Sequence, residues 1–168
     1  MSLTFFTASV PVFQRGLQQL SLILDKASAH ATAAGIDPDA FVTKRLAPDM
    51  RTLAGQVQSA SDAAKICTAR LAGVTAPPFA DTETTLAALQ KRIKDTLAYI
   101  DSVPADDIAA AASRPISVKF GAAAMDFTAE TYLFKLAIPN FFFHVTTAYD
   151  ILRAEGVALG KTDYLGGL

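Results

Sequence analysis

Leu53, Val57, Ala60, Ala64, Cys67 and Leu71 follow one another at steps of four, three, four, three and four. An apolar stripe of that period, closed by Gly73, buries itself only against other helices, so it commits the chain to a helical bundle. Two other stretches carry the same pattern. Phe13, Leu17, Leu20, Leu24, Ala27 and Ala31 predict a first helix that begins near Ser9, with Ser9 as its cap and Pro11 in its first turn, and ends before Gly35. Leu86, Leu89, Ile93, Leu97 and Ile100 predict a third, capped by Asp81 after the break at Pro77-Pro78 and stopped at Pro104.

The period then changes. Ile116, Val118 and Phe120 alternate with polar residues, Gly121 turns the chain, and Ala123 to Phe127 return as the second strand of a small hairpin. Thr128 opens a fourth long helix, which Pro139 kinks or interrupts and Gly156 ends. The tail from Val157 to Leu168 is glycine-rich but carries Tyr164 and Leu165, and is expected to pack back on the bundle. With 168 residues, 51% of them hydrophobic and 18% charged, disorder is excluded and one domain over 1–168 is expected. The fold class is therefore all-α, a four-helix bundle with a small β-hairpin before the last helix.

Charge narrows the functional classes. The net charge of -1, with 15 basic and 16 acidic residues, leaves no electrostatic footprint for nucleic acid or anionic lipid. Lys44-Arg45 and Lys91-Arg92 with Lys94 read as solvated faces. The apolar run from Leu136 to Val145 is interrupted by Pro139 and Asn140, and is about half of what a membrane span needs. No basic stretch precedes the apolar residues near Met1, and Cys67 is the single cysteine, so a cytoplasmic protein without disulfides is expected.

Candidate chemistry concentrates in the last long helix. Asn140 and His144 are four residues apart, hence on one face, within an otherwise apolar segment. A polar group on such a face needs a hydrogen-bond partner, a metal or a ligand. A buried histidine bonded to a neighbour is the simpler reading, and Asn140 is either its partner or a mend for the backbone at Pro139. Gln56 lies one position off the seam of the second helix, where it faces a cleft, and Asp49, Asp62 and Asp150 are the carboxylates placed to complete a site. Cys67 on the seam reads as an inert buried thiol, and His30 as a solvated histidine. Phe141, Phe142 and Phe143 cover most of the helix circumference, so at least one leaves the core for a dimer contact or a ligand cleft. Glu-x-x-His diiron pairs, G-x-S-x-G and G-x-G-x-x-G are absent, and Glu155 stands where a phosphate loop ending in Gly160-Lys161-Thr162 requires glycine.

The run from Pro139 through Asn140, His144, Tyr149 and Asp150 to Arg153, with Leu46-Ala47-Pro48-Asp49-Met50, Gln56-Val57-Gln58 and Gly160 to Gly166, resembles a bacterial domain-of-unknown-function family related to the DinB- and YfiT-like metalloenzymes. That resemblance implies a four-helix bundle with three histidine ligands, one on the second helix and two on the last, in a group that includes thiol transferases. His144 matches one ligand position, Asn140 stands one turn earlier, and Gln56 falls near the third. Two ligands are thus replaced by amides, which suit zinc and nickel poorly. The resemblance implies a small-molecule-binding or interaction protein, a homodimer, with a polar pocket lined by His144, Asn140, Gln56, Asp49 and Tyr149 and no cofactor. The alternative is a metal-dependent hydrolase or thiol transferase using His144 as ligand or base.

Overall fold

The computed structural model describes residues 3–121 and 123–166. Helix α1 spans Phe5–Ala34, α2 Leu53–Ala72 and α3 Leu86–Ser102. A short helix α4 (Ala105–Ala109) and a 3-10 turn (Ala110–Ser113) lead to strands β1 (Ile116–Phe120) and β2 (Ala123–Phe127). The last bundle element is composite: α5 (Ala129–Tyr132), a π-helical turn (Leu133–Ala137) and α6 (Ile138–Ala154). Helix α7 (Lys161–Leu165) follows and packs on α1. The expected four-helix bundle with a hairpin before its last helix is what the chain forms. Both α1 and α2 touch α3 and α6, and touch each other, so the core lies along the bundle axis. All six seam residues of α2 have no solvent-exposed surface.

Three local expectations change. Helix α1 begins four residues before Ser9, because Thr4 accepts from the Thr7 amide (3.1 Å) while the Thr7 hydroxyl accepts from the Thr4 amide (2.9 Å). That reciprocal cap outcompetes the Ser9–Pro11 signal, and Pro11 sits inside the helix, its lost bond falling at exposed Thr7. Ser9 is buried and donates to the Phe5 carbonyl (2.6 Å). Thr85, not Asp81, caps α3, accepting from the Ala88 amide (3.0 Å). Arg92 does not lie on a solvated face: its side chain is 2% exposed and bonds Asp62, Asp81 and Glu83, each at 3.0 Å. That cluster straps the connection between α2 and α3 down onto both helices.

In the antiparallel hairpin Ile116 pairs with Phe127 and Phe120 with Ala123. Ile116 and Val118 are buried, while Ala123 to Asp126 are exposed, and the Phe120 side chain lies outside the described residues. Of the three consecutive phenylalanines, Phe141 is fully buried, Phe142 half-buried and Phe143 exposed, as the crowding on that helix requires.

Candidate functional site

A cleft of about 350 Å³ runs between α2 and the composite last helix. Helix α2 presents Ser59, Asp62, Ala63, Ile66 and Arg70, at spacings that keep them on one face. Opposite stand Tyr132, Leu136, Asn140 and His144. Arg51, Asp81 and Val118 complete the wall.

The π turn makes that second row possible. At about 100° per residue, twelve residues of regular helix would carry His144 about 120° around the axis from Tyr132. One extra residue in a π turn takes back about 100° of this, leaving the two side chains nearly in line. Pro139 supplies the local cause. Its ring presses on the carbonyl four residues back, Lys135, and it has no N–H to offer there, so widening of the preceding turn relieves a clash that an α turn would keep.

Gln56 is 1% exposed and sits behind His144. Its side-chain amide nitrogen donates to the Arg51 carbonyl (3.3 Å), which turns its Oε1 toward His144 Nδ1 at 2.7 Å. An amide oxygen only accepts, so Nδ1 carries the proton and Nε2 keeps its lone pair. Burial, and then the nearby Arg51 charge, hold the His144 pKa below its ordinary value. The imidazole is therefore neutral at neutral pH, with Nε2 as an acceptor.

The cleft's two carboxylates are already engaged. Asp62 accepts from Arg92 (3.0 Å) and Lys65 (2.9 Å), and Asp81 from Arg92. Arg70 donates to the Tyr132 hydroxyl at 3.1 Å and lies over that ring. Burial and the neighbouring Cys67 push the Tyr132 phenol up to about 12, against the influence of Arg70, so it keeps its proton. Burial also drives the Cys67 thiol far above its usual range, which keeps it protonated in the core.

The structure thus brings His144, Asn140 and Gln56 together, the first two on the cleft wall and the third behind it. Asp49 is exposed before α2 and is not among the lining residues. Tyr149 lies farther along α6, its ring edge-on to Tyr164 at 6.0 Å, with its hydroxyl accepting from Arg153. The sequence reading passed over Arg51, Arg70 and Tyr132 as cleft residues. The four-residue spacing of Asp62, Ile66 and Arg70 was the available signal, while the Arg70–Tyr132 contact spans 62 positions and left none. Among the described residues no group of three or more His, Cys, Asp or Glu side chains is gathered closely enough to hold a metal ion.

A four-helix bundle with a small hairpin before its last helix is the fold of a DinB-like protein. The chain belongs to the family described as Domain of unknown function (DUF1993), whose model matches residues 5–165. Its structure is similar to the crystal structure of a DinB family member protein from Shewanella denitrificans, with 42% sequence identity, 97% of this chain and 92% of that one covered, and a TM-score of 0.91. No functionally curated protein matches the chain.

Proposed function

We propose that this protein binds a small molecule in the cleft around His144, with a polar pocket at the place where the resemblance to DinB-like metalloenzymes implies a metal. The 2.7 Å contact between Gln56 Oε1 and His144 Nδ1 carries the reading. It commits Gln56, near a position where the resemblance implies a ligand, to orienting the histidine. What remains is one imidazole nitrogen, the neutral amide of Asn140 and two carboxylates bound by Arg92, a donor set that does not fit zinc or nickel. Protein purified without chelator or affinity tag is expected to carry no stoichiometric transition metal by elemental analysis. Stoichiometric zinc or nickel that disappears in His144→Gln would overturn the proposal.

The lone pair on His144 Nε2 supports a second reading, a metal-free enzyme in which this nitrogen is the general base. Such a base takes a proton from a bound hydroxyl or thiol while Gln56 holds the ring. Unchanged turnover of any detected substrate by a folded His144→Gln variant would end that reading.

A further inference from the structure

We propose that the cleft takes an organic oxyanion, held at its Arg70–Tyr132 end, with the body of the ligand lying toward Asn140 and His144. This deepens the reading of the cleft as a binding site and rests on it. The charge pattern supplies the reason. A guanidinium has five N–H donors, and the one hydrogen bond found for Arg70 goes to a neutral phenol oxygen. Among the described residues no carboxylate lies within ion-pair distance of it. Tyr132 is 3% exposed, accepts from Arg70, and retains a hydroxyl proton that has no acceptor among the described residues. The remaining N–H groups of Arg70 and the Tyr132 hydroxyl thus stand at one end of the cleft without an anionic partner among the described residues.

The acidic residues of the wall do not fill that role, because they are held by other cations. Lys65 and Arg92 pair with Asp62, and Arg92 also with Asp81 and Glu83, so two cations offset two of these three negative charges. Between the ends, Ile66, Leu136 and Ala137 offer apolar surface. A cleft of about 350 Å³ exceeds what a bare inorganic anion fills, so the ligand has an organic body. Carboxylates and phosphate monoesters share the required oxygens. Planar pairing with Arg serves either.

The test uses the full chain and isothermal titration calorimetry. The probes are ω-hydroxy carboxylates of increasing chain length, the matching primary amides, and the matching phosphate monoesters. The expected result is binding of the charged series, with the amides weaker by about tenfold. Arg70→Gln should weaken the charged probes by a similar factor and leave the amides unchanged. Tyr132→Phe removes only a hydroxyl and should weaken the charged probes by a few-fold, so it carries the test if Arg70→Gln fails to fold. Whether carboxylate or phosphate binds better identifies the source of the oxyanion. The inference is overturned if amides bind as well as acids, if a folded variant leaves acid affinity unchanged, or if no charged probe binds at millimolar concentration. Amide binding that is lost in His144→Gln would leave the cleft a binding site and remove only its anion.

Discussion

His144 has one nitrogen fixed by Gln56 and the other left to the cleft, and its proton affinity follows from that position. Its folded pKa is below the unfolded value of 6.5, so the unfolded chain takes up this proton more readily. The stability contributed by the neutral form is complete above about pH 6.5 and is lost as pH falls from there through the folded pKa. The urea midpoint of the wild type should therefore drop between about pH 7 and about pH 5 by more than that of His144→Gln. Parallel pH dependences in the two proteins would show that this histidine is not the group responsible. At the same scale, Gly16 lets α1 approach α6. A Cβ there would stand 2.7 Å from Phe141 Cζ and closer still to its Cε1, and Phe141 is itself wedged against Phe13 with 5.0 Å between ring centres. Gly16→Ala should cost about 1–3 kcal/mol by chemical denaturation, through overpacking.

The composite last helix is the element on which the cleft depends. Inserting an alanine after Lys135, an exposed residue of the π turn, would add a residue beyond the one that turn absorbs and rotate Tyr132 by about 100° relative to His144. Buried Tyr132 and Leu133 on one side and buried Phe141 and Val145 on the other could then not all face the core. The insertion should cost about 3 kcal/mol or more, whereas Lys135→Ala should stay within about 0.5 kcal/mol, both read from urea midpoints. Elements with strong local period were legible in the sequence: the α2 seam from Leu53 to Leu71 is buried throughout, and the hairpin runs over the residues that alternate. Helix starts were less so, because Ser9 before Pro11 and Asp81 after Pro78 imitate caps as well as Thr4 and Thr85 do. The Gln56 and His144 face assignments were local questions of spacing. Their bond to each other, across 88 positions, was not. Arg92 shows the same limit, since a charged triplet on a helix looks solvated until the carboxylates that enclose it are placed.

At the scale of the whole molecule, Arg92 joins α2, α3 and the connection between them. Its guanidinium also donates to the Ala80 carbonyl (3.1 Å) and the Ser61 hydroxyl (3.1 Å). Phe79 lies under both Arg92 and Lys65. Arg92→Leu would leave Glu83, 12% exposed, without its counter-charge and Asp62 with Lys65 alone. A loss of about 3 kcal/mol is expected, with faster hydrogen exchange at residues 79–84 than in the wild type. Unchanged exchange there would mean that the connection is held by something else. Ionic strength should then act unevenly on this protein. The strap's central charge is out of water and is screened little, while Arg51 stands in solvent, within reach of a mobile counter-ion atmosphere about 8 Å deep at physiological salt. Salt should therefore retune what the cleft attracts without altering the wall that shapes it.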